Sequence, residues 1–172
     1  MFEIFGVPIC KDKINLDLIN IKSERTSSTF MSELQTSRLE KVNVHESTKN
    51  YLLNIFYKNI DSIGVKKYKL EIANMWENFY KPGDFQEKHI HPDSQFSFII
   101  YNNVETSNTV FVRPSSYIAE CTKWTDWFSN ELQVNCVKGD IVIFPSFLEH
   151  MVTKVEKHGS TIAGNIRMFR NE

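Results

Sequence analysis

The stretch EKHIHPDSQFSFIIY, Glu87–Tyr101, joins a polar segment to a run of strand-forming residues. Its first half sets His89, His91 and Asp93 at every second position. On an extended chain, residues i, i+2 and i+4 point to one face. The three side chains are therefore expected to converge immediately before a strand. Two imidazoles and a carboxylate on one face, with coordination positions left free, form the ligand pattern of open non-haem iron sites. One metal in that geometry needs only two ligands from this segment and takes another from elsewhere. The candidate is His150 in GDIVIFPSFLEHMV, Gly139–Val152, where an apolar strand, a PSFLE turn and a new strand follow one another. The bland alternative is a pair of surface histidines. His45 and His158, in polar turn-like contexts, are read that way.

Working outward, the last two thirds of the chain alternate with a period of two. KKYKLEIANMWENFY, FSFIIYNN, NTVFVRP, KGDIVIFP, EHMVTKVEK and TIAGNIRMF are short strand-like runs separated by turn clusters. The first third differs. FEIFGVPICKDKI reads as an N-terminal strand, with Pro8 marking a sheet edge. Ser23–Phe30 is polar and loop-like, and Met31–Val42 predicts a short helix with Leu34 and Leu39 facing in. A stronger helix is expected over Ser47–Gly64. Leu52, Ile55, Phe56, Ile60 and Ile63 recur at helical spacing, Ser47 is the expected N-cap, and Gly64 closes the helix. The segment Ser115–Asn135 reads as a loop or insertion, with Trp124, Trp127 and Phe128 forming a lid or entering the core. The pattern predicts a single, mainly β domain over residues 1–172. Residues 1–64 give an N-terminal strand and supporting helices, and 65–172 give a jelly-roll core with helices on one sheet.

Composition excludes several classes of function. Hydrophobic residues at 41% and charged residues at 24% are enough for a core without disulfide staples. The six glycines form no phosphate-binding loop. A net charge of -1 gives no bulk attraction to nucleic acid or an anionic membrane. No apolar run approaches the roughly 18–20 residues needed to span a bilayer. Three isolated cysteines without a C-x-x-C fit a reducing, cytoplasmic setting.

Three segments together carry a resemblance. MWENFYKPGDFQEKHIHPDS, Met75–Ser94, is similar to the pattern W-x-N-x-Y-x-x-G-D-x-x-x-x-H-x-H-P-x-S of a family of 2-oxoglutarate/iron(II)-dependent oxygenases found in bacteria and tailed phages. GDIVIFPSFLEHMV resembles that family's G-D-L-V-x-F-P-S-x-L-x-H-x-V, and STIAGNI, Ser160–Ile166, resembles its terminal R-x-[ST]-I-A-x-N-I strand. Their order and spacing agree over roughly the last hundred residues. The resemblance implies a double-stranded β-helix, that is, a jelly-roll or cupin-like barrel. It also implies Fe(II) and 2-oxoglutarate as cofactors and hydroxylation of a small-molecule or peptide substrate, in the host cytoplasm if the gene is a phage's.

Carried over by position, His89 falls on the first ligand of the family's H-x-D, His91 on its carboxylate and His150 on the distal histidine. The rival is literal: His91-Pro92-Asp93 is itself an H-x-D. His91 and His150 belong to both versions, and His89 and Asp93 compete for the third place. The resemblance further implies an Arg near position 159 for the far carboxylate of 2-oxoglutarate, and Gly159 stands there. Arg167 lies eight residues on, about 26 Å along a strand. Tyr80, Thr161, Asn165 and Lys157 are the candidate co-substrate residues, with Lys154 or Arg113 as other cations. Two alternatives stand beside this reading. One is a non-catalytic or degenerate jelly-roll module. The other is a three-histidine iron enzyme that does not use 2-oxoglutarate.

Overall fold

The computed structural model describes residues 6–22, 26–27, 35–36 and 43–171. In chain order the strands are β1 (Cys10–Lys13), β2 (Ile21–Lys22), β3 (Thr26–Ser27), β4 (Gln35–Thr36), β5 (Asn43–Val44), β6 (Tyr68–Tyr80), β7 (Gln86–His89), β8 (Phe96–Asn103), β9 (Thr109–Val112), β10 (Glu131–Gln133), β11 (Asp140–Pro145), β12 (His150–Val152) and β13 (Gly159–Arg170). Helix α1 spans Glu46–Ser62 and α2 spans Ser116–Cys121. A larger sheet runs β1-β11-β8-β13-β6-β4-β3, a smaller one β10-β9-β12-β7, and β2 pairs with β5. The two main sheets face each other as an open jelly roll; among the described strands they do not close into a barrel.

The apolar runs explain this layering. Every residue of β11, and the first six of β8, are buried, because the larger sheet is covered on both faces. On one face Phe98, Ile100, Ile141, Ile143, Ile162 and Ile166 pack with Leu52, Phe56 and Ile60 of α1. On the other, Ile99, Tyr101, Val142, Phe144 and Ala163 meet Phe111 of the smaller sheet. Strand β6 changes allegiance part-way. Asn165 of β13 pairs with Asn74 of β6 but Ile166 pairs with Ile72, so Ala73 is an extra residue, a β-bulge. Before it Leu70 faces α1; after it Met75 does, and Trp76 turns to the opposite face. Without the extra residue, Trp76, Asn78 and Tyr80 would keep the parity of Leu70 and point away from the space between the sheets.

Four expectations are corrected. The strong helix starts at Glu46, and its N-cap is His45, not Ser47: the His45 Nδ1 accepts from the Ser47 backbone N–H. An imidazole acceptor can satisfy a first-turn donor as a hydroxyl does. Gly64, at φ +87°, follows the C-cap Ile63 in the left-handed conformation that suits glycine. Within the stretch expected as a helix, Met31–Val42, Gln35 and Thr36 instead form β4 and pair with Phe79 and Asn78 of β6, and its other residues lie outside the described ones. The unpaired edge of β6 offers ladder partners that outweigh local helix preference; Leu34 and Leu39 lie outside the described residues. Likewise β3 occupies part of the stretch read as a loop. At the opposite edge β1 pairs with β11, as Pro8 suggested. The segment Ser115–Asn135 is neither plain loop nor core. It forms α2, a 3-10 turn and β10, with Trp124, Trp127 and Phe128 exposed. No helix among the described residues is long and apolar enough to cross a membrane.

Candidate metal centre

Three strands and one turn bring the imidazoles together. His150 opens β12, paired on one side with His89, the last residue of β7, and on the other with Phe111 of β9. His91 follows just beyond β7, and its backbone N–H donates to the carbonyl of Ser146 at 3.0 Å. The ligand atoms of His89, His91 and His150 all lie within 4.8 Å of one another. Asp93 stands outside this group. It is exposed, with φ +64°, so the chain turns at the point where alternation would have carried its carboxylate inward. Its carbonyl accepts from Arg167 Nε at 3.3 Å, which also puts Arg167 at this outer turn.

Hydrogen bonding sets the tautomers. The Nδ1 of His150 lies 2.9 Å from the carbonyl of Leu148, and the Nδ1 of His89 lies 2.8 Å from that of Glu87. A carbonyl only accepts, so both Nδ1 atoms carry a proton, and in the neutral ring Nε2 is then the atom that presents a lone pair. Such Nδ1–H bonds to backbone carbonyls are how metal-binding imidazoles are oriented. The Nε2 atoms of His91 and His150 are 3.2 Å apart. Two nitrogens at roughly 2.1 Å from one ion and at right angles to each other would stand about 3.0 Å apart. The donor set therefore fits a transition-metal ion, and imidazole suits iron. Burial, helped by His89, pushes the pKa of His150 down to about 3, so its imidazole stays neutral and ready to ligate.

A buried polar chain supports the His91 turn. Ser94 donates to the Oγ of Ser146 at 2.9 Å, the hydroxyls of Ser146 and Ser97 bond at 2.8 Å, and Ser97 donates to Oδ1 of Asn165 at 2.9 Å. Ser146 also accepts the His91 N–H on its carbonyl. Asn165 thus belongs to the wall behind His91, not to the chamber. Sequence reasoning missed Ser97 and Ser146; the F-P-S motif held the signal for Ser146, and H-P-x-S that for its partner Ser94.

The chamber between the sheets is lined by the three histidines together with Trp76, Asn78, Tyr80, Phe144 and Thr161, among others. The Trp76 ring stacks on His91 with centroids 5.5 Å apart. The hydroxyls of Tyr80 and Thr161 bond at 2.8 Å, and Asn78 Nδ2 donates to Thr161 at 3.3 Å. Burial raises the pKa of Tyr80 to about 12, so its phenol remains a neutral donor. Through Tyr80, Thr109, Val152 and Thr161 the chamber meets an outer cavity of about 350 Å³. Lys157 lies at that outer cavity, exposed and 2.5 Å from Glu105, and Lys154 and His158 line it too. Arg113 is elsewhere, against the carbonyl of Ser129.

Two facing antiparallel sheets with three imidazoles gathered between them define a non-haem metalloprotein of the double-stranded β-helix class. The model of the 2OG-Fe(II) oxygenase family matches residues 74–163, more than half of the chain, and the chain belongs to that family. Its cofactors are Fe(II) and 2-oxoglutarate. Solved structures agree on the fold. An oxidoreductase of the 2OG-Fe(II) oxygenase family from Burkholderia pseudomallei has a TM-score of 0.59 at 13% identity, covering 85% of this chain and 73% of its own. A Pseudomonas putida prolyl-4-hydroxylase reaches 0.54 at 14% identity, covering 96% of this chain and 94% of its own. HygX from Streptomyces hygroscopicus, with nickel, 2-oxoglutarate and hygromycin B bound, reaches 0.55 at 10% identity, covering 84% and 73%. No curated protein sequence matches the chain.

Proposed function

We propose that the protein is a hydroxylase in which His89, His91 and His150 hold Fe(II), with 2-oxoglutarate in the adjoining chamber. The observation that carries this is the convergence of three imidazoles, two of them with Nδ1 tied to backbone carbonyls. When bound, iron and 2-oxoglutarate together supply the activation of oxygen. The chain's own residues do the rest. Three ligands on one side leave coordination positions free. Tyr80, Thr161 and Asn78 offer neutral hydrogen-bond donors toward the far carboxylate of 2-oxoglutarate. Trp76, Phe111 and Phe144 wall off water and keep the local dielectric low. The outer cavity, near the lower end of the ~300–1,000 Å³ range of ligand pockets, admits a small molecule or a side chain of a peptide.

The test is anaerobic reconstitution. Purified protein is expected to bind one Fe(II) per chain and, on addition of 2-oxoglutarate, to develop the weak visible charge-transfer band of the chelate. Oxygen should then convert 2-oxoglutarate to succinate. Iron bound with no band would favour the three-histidine enzyme that does not use 2-oxoglutarate. No iron bound would leave only the non-catalytic module.

A further inference from the structure

Ser146 stands just past the end of β11, four residues before His150, and is 1% exposed. Its backbone makes two bonds to the segment that carries His91. The carbonyl takes the His91 N–H, and the Ser146 N–H donates to the carbonyl of Gln95, each at 3.0 Å. Any residue but proline can make both. The side chain adds what only a small hydroxyl supplies. Ser97 spends its one proton on Oδ1 of Asn165, so the proton between Ser146 and Ser97 comes from Ser146. The chain therefore runs one way, from Ser94 through Ser146 and Ser97 to Asn165, and each link polarises the next. Asn165 anchors it inside the larger sheet, where β13 pairs with β8 on one side and β6 on the other. In the other direction Ser146 opens the turn that delivers His150. There the Leu148 N–H donates to the Pro145 carbonyl at 2.9 Å, and the Leu148 carbonyl takes the Nδ1 proton of His150.

We propose that Ser146 is a positioning residue of the metal centre, and that its hydroxyl sets the separation of His91 and His150. This rests on the reading that the histidines hold Fe(II). The Nε2 atoms of the two face each other across 3.2 Å, although 59 residues separate them in the chain. Ser146 is bonded to the segment of the first and opens the turn that bears the second. Without the hydroxyl the two backbone bonds remain, but Ser94 and the buried Ser97 lose the partner between them. The His91 segment is then held to the turn by backbone alone, and the two imidazoles can spread. A wider pair binds an ion more weakly and changes its coordination symmetry. Packing lost on the far side of the larger sheet changes neither.

The experiment compares the full chain as wild type, Ser146→Ala and Leu52→Ala, each shown to be folded by circular dichroism and gel filtration. Fe(II) affinity is measured by anaerobic titration, and coordination geometry by the visible d–d bands of the Co(II)-loaded protein. Ser146→Ala is expected to bind Fe(II) more weakly by about tenfold or more, and to shift or reshape the Co(II) bands. Leu52→Ala, in the core on the α1 face, is expected to lose stability and change neither. If Ser146→Ala fails to fold, Ser97→Ala cuts the same chain one link further on and is read in the same way. Wild-type affinity and wild-type bands in the folded serine variant overturn the positioning role, whatever its stability. An equal change of affinity and bands in Leu52→Ala overturns it too. A wild-type chain that takes up neither Fe(II) nor Co(II) overturns the metal reading itself, which keeps the two failures distinct.

Discussion

His150 has the most one-sided environment of the three imidazoles. It is 3% exposed, its Nδ1–H is spent on Leu148, and its Nε2 has nowhere to point but the cluster. His150→Ala is therefore expected to abolish stoichiometric Fe(II) binding, read by metal analysis after gel filtration; one retained iron per chain would sink the site assignment. Its lowered pKa gives a second expectation. An unfolded imidazole titrates near 6.5 and the folded one near 3, so between these values only the unfolded chain carries the proton. Stability of the metal-free protein should thus be full above pH 6.5 and fall as pH drops toward 3, at up to about 1.4 kcal/mol per unit. Urea midpoints measured across that window check it, and His150→Ala should flatten the slope. At this scale the sequence singled out His91 and His150, which the structure brings into one group with His89, but it left the choice between His89 and Asp93 open. The every-second-residue rule holds only while the chain is extended, and Pro92 and Asp93 turn it. The role of Asn165 was hidden for another reason: its partner Ser97 is 68 residues away.

Among the elements, β13 does the most positioning, because it runs past both the chamber and α1. Its Gly164 faces the helix side, where a Cβ would lie 2.5 Å from the carbonyl oxygen of Asn74 and 2.6 Å from Phe98 Cζ. Gly164→Ala must displace backbone or a buried ring. It is expected to cost about 1–3 kcal/mol, visible as a lower denaturant midpoint; an unchanged midpoint would mean that β6 and β13 yield more easily than their register implies. The strands themselves were legible, since a period of two and terminal turn residues are local properties. The bulge at Ala73 was not, although it decides that Trp76, Asn78 and Tyr80 face the three histidines. An extra residue is defined only against its partner strand. The same limit misread Met31–Val42, where a sheet edge distant in sequence took Gln35 and Thr36 as a strand.

For the molecule as a whole, the larger sheet separates two jobs. Its α1 face carries a core of aliphatic and aromatic side chains, and its other face carries the chamber. Substitutions on the two faces should therefore fail differently. Leu52→Ala, at a fully buried α1 position, is expected to cost about 2–5 kcal/mol of stability. Protein that remains folded should keep its iron affinity, because the helix lies across the sheet from the histidines. Phe111→Ala is expected to cost about 3–5 kcal/mol, but its ring sits 4.9 Å from Phe144 and 5.9 Å from His150. The cavity it leaves adjoins His150, so the surviving folded protein should also bind Fe(II) more weakly, by about tenfold or more on the scale of lost support around metal ligands. Calorimetric iron titration at a temperature where both variants are folded distinguishes the cases. If Leu52→Ala weakened iron binding as much as Phe111→Ala, the larger sheet would be transmitting strain from one face to the other instead of insulating the site.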